Sequence, residues 1–85
     1  MGEERNKLLK ALRPILEVLG LKETGEEEYS IECPYCDGEA PYIGCDEESQ
    51  AIHYCPNCEI CFKVLWNGTI LVAEAEGSRI IIEEI

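Results

Sequence analysis

Cations are nearly missing from most of this chain. Residues 23–85 contain two of them, Lys63 and Arg79, against fifteen Asp and Glu residues, a net of −13. Residues 1–22 hold five basic and three acidic groups, a net of +2, and together the segments give −11. Such a field repels phosphate backbones and anionic membranes, so duplex DNA and membrane surfaces are poor partners. It suits a basic protein surface. Histidine occurs once, at His53, which leaves little for histidine-based catalysis. A Gly-rich phosphate loop is missing, and so is any carboxylate pair spaced for acid–base work. No apolar run approaches the roughly 18 residues that span a bilayer. The polar start, Met1 to Lys7, has no secretory pattern. The expectation is a non-enzymatic, soluble, cytoplasmic protein.

Cysteine is what the chain does have. Four of its six cysteines form two matched pairs, Cys33-Pro34-Tyr35-Cys36 and Cys55-Pro56-Asn57-Cys58, with eighteen residues between them. Two residues between cysteines allow a tight turn that brings both sulfurs to one point. Proline at the second position presets φ for that turn. Backbone N–H groups of the turn can then face the thiolates. The spacing predicts one tetrahedral site with Cys33, Cys36, Cys55 and Cys58 as ligands to Zn²⁺, with iron as the alternative. In a reducing compartment such pairs favour metal over disulfide. An 85-residue chain has a small core, so the metal is expected to supply part of the folding free energy. Four thiolates on one Zn²⁺ add about −2 to the local charge.

Cys45 and Cys61 remain. Cys58-x-x-Cys61 has chelate spacing too, but Pro56 marks Cys55–Cys58 as the turn. Cys61 reads as a buried strand residue and Cys45 as a free thiol in a loop. His53 precedes Cys55 in a strand, and its default role is an ordinary sheet residue. A nucleophile pair with a cysteine, or a fifth metal ligand, are the sharper alternatives.

The pattern predicts a small α+β fold. Leu8, Leu12, Ile15, Leu16 and Leu19 lie on one face of a helix over residues 3–20, capped by Gly20. Pro14 predicts either a kink or two short helices with Pro14 at N1 of the second. Residues 22–28 read as a polar linker. Strands are expected at Tyr29–Glu32, at Ala40–Ile43 (an edge, because of Pro41) and at Ala51–Tyr54. Asn67-Gly68 predicts a two-residue type I′ hairpin pairing Val64 with Leu71, and both its faces are apolar. Arg79–Ile85 reads as a last, packed strand. The N-terminal helix (1–22) is therefore expected to pack on an antiparallel ribbon sheet (23–85) extended by the hairpin and strand, in a single structural domain.

The segments Cys-Pro-Tyr-Cys-Asp-Gly and Tyr-Cys-Pro-Asn-Cys resemble the knuckles of the zinc-ribbon superfamily. The resemblance covers roughly residues 29–66, and the second knuckle departs from it by having Glu59 where glycine is usual. Ribbons of this kind occur in transcription, replication and translation proteins. The resemblance implies a zinc site at Cys33, Cys36, Cys55 and Cys58 and is unspecific for biology; the leading functional expectation is a non-enzymatic interaction or regulatory module. The acidity adds a basic protein partner, met through Glu26-Glu27-Glu28, Asp46-Glu47-Glu48 and an apolar anchor from Leu8, Leu12 and Ile15. A rubredoxin-like iron electron carrier and a nucleic-acid-binding ribbon are the competing functions. The sequence leaves the oligomeric state open.

Overall fold

The structure is a computed structural model and describes residues 2–25 and 29–85, so the Glu26-Glu27-Glu28 run lies outside the described residues. Among the described residues, one helix, α1 (Gly2–Leu19), is followed by seven strands: β1 (Glu23–Thr24), β2 (Ser30–Glu32), β3 (Glu39–Cys45), β4 (Ala51–Cys55), β5 (Ile60–Val64), β6 (Ile70–Glu76) and β7 (Arg79–Glu84). All pairings are antiparallel and the order is β1-β3-β4-β5-β6-β7, with β2 also on β3.

The apolar stripe explains the place of α1. Leu12, Ile15, Leu16 and Leu19 are buried against Ile43, Ile52, Tyr54, Cys61 and Ala73 of the sheet. The helix runs as one element through Pro14, so the two-helix alternative is not realised. Pro14 and Lys10, whose carbonyl loses its donor, are both exposed, and water can satisfy that carbonyl. The end is a Schellman motif. Gly20 has φ of 82°, its N–H bonds the Glu17 carbonyl, and the Leu21 N–H bonds the Leu16 carbonyl.

Three local expectations need correction. Residues 22–28 are not simply a linker, because Glu23 and Thr24 pair with Cys45 and Gly44 of β3. The same strand therefore contains Cys45, which is not a loop residue. Pro41 does not mark an edge strand either. β3 has β4 on one side and β1 and β2 on the other, and Pro41 sits one residue before the register with β4 begins at Tyr42. There a missing N–H leaves the β4 ladder intact.

The hairpin is shifted by one residue from the sequence expectation. Val64 pairs with Ile70, not Leu71. The Leu65 N–H bonds the Thr69 carbonyl and the Gly68 N–H bonds the Leu65 carbonyl, which closes a three-residue loop. Gly68 has φ of 89° while Asn67 has no positive φ. This is a type I turn with a glycine bulge, and the Asn67 side chain accepts from the Thr69 N–H at 2.9 Å. A one-residue slip reverses the faces. Phe62 and Val72 now lie together, opposite to Cys61 and Ala73.

Each sheet face carries a buried cluster, but the hairpin end is not covered as expected, since Trp66 is 72% exposed. The helix covers one face. On the other, Cys33, Ala40, Cys55, Ile60, Phe62 and Val72 form a second buried cluster with Ile31, Cys58 and Ile70 around it. Two of the paired cysteines are thus core residues of that face.

Candidate metal centre

The two Cys-Pro-x-Cys segments fold into matching turns. In the first, the Asp37 N–H bonds the Cys33 carbonyl at 3.0 Å, and in the second the Glu59 N–H bonds the Cys55 carbonyl at 2.9 Å. Each turn leaves through a left-handed residue directly after its second cysteine, Asp37 at φ 58° and Glu59 at φ 55°. The first turn joins β2 to β3 and the second joins β4 to β5.

These turns bring Cys33, Cys36, Cys55 and Cys58 together, with all four sulfurs within 4.8 Å of one another. Cys33 Sγ lies 3.8 Å from Cys58 Sγ, and Cys36 Sγ lies 3.5 Å from Cys55 Sγ. Four sulfurs about 2.3 Å from one tetrahedral ion stand roughly 3.8 Å apart, so the cluster has the dimensions of a four-thiolate site. Cys33 and Cys55 are fully buried, Cys36 is exposed and Cys58 is half-buried. None of the six cysteines is in a disulfide. The four-cysteine group could hold a metal ion.

The electrostatics of the four thiols reflect their crowding. The Gly38 N–H donates to Cys36 Sγ at 3.4 Å. That bond, helped by its cysteine neighbours, holds the Cys36 thiol down to about 7. Cys58 is pushed up to about 12, first by Cys36 and then by burial. Burial also raises Cys55. One sulfur ionises readily and its neighbours then resist, because four sulfurs crowd one point.

The other sequence candidates fall elsewhere. Cys61 is in β5 on the helix side of the sheet, buried, with its thiol pushed up to about 12 by desolvation. It is outside the sulfur cluster, so the Cys58–Cys61 chelate is not formed. His53 is fully buried and lies against Tyr29, Tyr42 and Phe62. Its Nδ1 donates to the Ala40 carbonyl at 2.9 Å. Its Nε2 has no partner among the described residues, and burial lowers its pKa, so the ring stays neutral. It joins neither the sulfur cluster nor a thiol pair among the described residues.

A polar network was missed by sequence reasoning, which placed Asp46 in an acidic loop that meets a partner. Asp46 is buried. It accepts from the Gln50 N–H at 2.8 Å, the Glu48 N–H at 2.9 Å, the Gln50 side chain at 2.8 Å and Lys63 Nζ at 3.1 Å. Lys63 also donates to the Leu19 carbonyl at the end of α1, at 2.7 Å. The available signal was a lone lysine inside the apolar strand Ile60–Val64, which needs an acceptor wherever it is covered.

The matched turns give one prediction. A non-glycine left-handed residue costs about 1–2 kcal/mol. Glu59→Gly relieves that strain, less the added entropy of the unfolded chain. The variant should be more stable by about 0.5–1 kcal/mol, read as a higher denaturation midpoint at unchanged metal content.

Compared with known proteins, the chain matches no protein-family model, no curated protein and no solved structure. Among the described residues, no helix is long and apolar enough to cross a membrane.

Proposed function

We propose that Cys33, Cys36, Cys55 and Cys58 hold one structural Zn²⁺. On this reading the chain is a non-enzymatic zinc ribbon in a single domain, with α1 (Gly2–Leu19) packed on the sheet that follows it. It acts as an acidic interaction or regulatory module docking on a basic protein surface, in the manner of ribbons in transcription or replication machinery. The observation that carries the metal reading is the convergence of four sulfurs from two matched turns. A zinc held by four thiolates keeps no open position, and its contribution is structural.

Charge supports the partner reading. Lys63 is turned inward onto Asp46 and the Leu19 carbonyl. Arg79 is then the remaining cation of residues 23–85, too little for a phosphate-tracking surface. The docking surface differs from the sequence expectation in two respects. Asp46 is occupied internally, leaving Glu47 and Glu48 as the exposed acids of that loop. Leu12 and Ile15 are buried under the helix and Leu8 packs against the same cluster, so this stripe offers no apolar anchor.

Two measurements test the reading. Metal analysis of protein purified under reducing conditions should give one zinc per chain and a colourless solution. A red, iron-containing protein makes it a rubredoxin-like carrier instead. A salt titration should show no useful duplex-DNA affinity, and capture of a basic protein that weakens as salt rises. Micromolar DNA binding reverses the assignment.

A further inference from the structure

The sheet ends at β7, and among the described residues no strand pairs with its outer edge. The strand is regular along its whole length, with six continuous pairs to β6, no bulge and no proline. Such an edge is a template for another strand. Ile82 and Ile85 are 44% and 54% exposed beside it.

We propose that a second copy of this chain pairs its β7 antiparallel with this one, centred on Ile81, so that two sheets join edge to edge. The register follows from backbone geometry. Ile70 and Ile85 exchange both backbone bonds, so the alternation of an antiparallel ladder turns the N–H and C=O groups of residues 79, 81 and 83 toward β6. The groups of Ile80, Ile82 and Glu84 therefore face outward. A two-fold axis normal to the sheet keeps each face with its like, so opposed residues must share a face. Centring on Ile81 meets both conditions. Ile80 of each copy then exchanges backbone bonds with Ile82 of the other, and Ile81 meets Ile81.

The charges select this register over its neighbours. Arg79 of each copy lies opposite Glu83 of the other, so one axis makes two opposite-charge pairs. Glu84 falls opposite Ser78. A shift to the axis through Ile82 sets Glu83 against Ile81 and Glu84 against Ile80, and loses both charge pairs. The strand Arg79-Ile80-Ile81-Ile82-Glu83 is thus complementary to itself when reversed, which is the condition for an isologous contact. The net charge of −11 opposes association. At physiological salt a Debye length of about 8 Å screens much of that repulsion and leaves the opposed pairs in reach.

The experiment is sedimentation equilibrium of the metal-loaded full chain at physiological salt, up to millimolar concentration. The expected result is a monomer–dimer equilibrium. Arg79→Glu and Glu83→Arg should each weaken it about tenfold or more, because two attractive cross-strand pairs become repulsive. Mixing those two variants should restore a dimer containing one of each, and so should the double variant. Ile82→Pro removes an outward N–H that this chain does not use, so it should abolish association with little change in melting temperature. Circular dichroism and metal content confirm that each variant is folded. A wild-type chain that stays monomeric overturns the proposal. So does a dimer indifferent to the single substitutions, or failure of the mixed variants to pair.

Discussion

Stripping the proposed zinc with a strong chelator, or replacing Cys55 by serine, is expected to unfold most of the chain. The four sulfurs tie the β2–β3 turn to the β4–β5 turn. Cys33 and Cys55 are also buried members of the cluster that covers one sheet face. Losing the site therefore opens that face as well as releasing two turns. Structural zinc contributes about 10–16 kcal/mol in small zinc-binding peptides, against a total stability of about 5–15 kcal/mol for an ordinary domain. A domain of this size loses about 4–8 °C of melting temperature per kcal/mol. Far-ultraviolet circular dichroism should lose its strand signal, and the melting transition should fall by tens of degrees or vanish. Cys45→Ser is the control, because Cys45 lies outside the sulfur cluster at the end of β3. It should retain its metal and melt close to wild type. An unchanged melt after verified metal removal refutes the structural role.

The sulfur cluster was legible in the sequence because its cause is local. Two cysteines separated by Pro-Tyr or Pro-Asn converge through one turn, and the turns need only one meeting point. The helix was legible for a similar reason, since its apolar stripe has helical period and is buried where that period places it. The hairpin register was not. Asn67-Gly68 is compatible with a two-residue type I′ loop and with a three-residue loop ending in a glycine bulge. Closure by Leu65 and Thr69 and the Asn67 bond to the Thr69 N–H decide between them, and neither can be read from composition. β1 was hidden because two polar residues, Glu23 and Thr24, show no alternation. Their strand exists through tertiary pairing with Gly44 and Cys45.

Asp46 shows where charge counting misleads. Counted with Glu47 and Glu48 it looks like part of a solvated acidic run, yet it joins four parts of the fold. It binds Lys63 of β5, which reaches the last carbonyl of α1. It also fixes Gln50, whose side-chain oxygen accepts from the Trp66 N–H at the hairpin. Burial opposes the charged form of Asp46. The Gln50, Lys63 and Glu48 donors outweigh that and hold its carboxyl down to about 2, from an ordinary 3.8.

Asp46→Asn is therefore expected to destabilise the protein by about 3 kcal/mol at neutral pH, because it leaves a covered Lys63 cation without its counter-charge. Lys63→Met should cost less, since Asp46 keeps the donors from Gln50 and Glu48 while the Leu19 carbonyl loses only one partner. The pH dependence has a fixed sign. The folded pKa of Asp46 lies below its ordinary value, so its contribution is complete above about pH 4 and is lost as the pH falls toward 2. On the proposed zinc reading protonation of the cysteines also releases the metal in acid, so the useful quantity is the difference between wild type and Asp46→Asn under identical conditions. That difference should be constant from pH 8 to about pH 5 and shrink toward zero as Asp46 takes its proton. Urea unfolding of both proteins across this range gives the curve, and carboxyl NMR titration gives the pKa directly. A difference already near zero at pH 7 means that Lys63 is solvated and that the network does not hold α1 to β5.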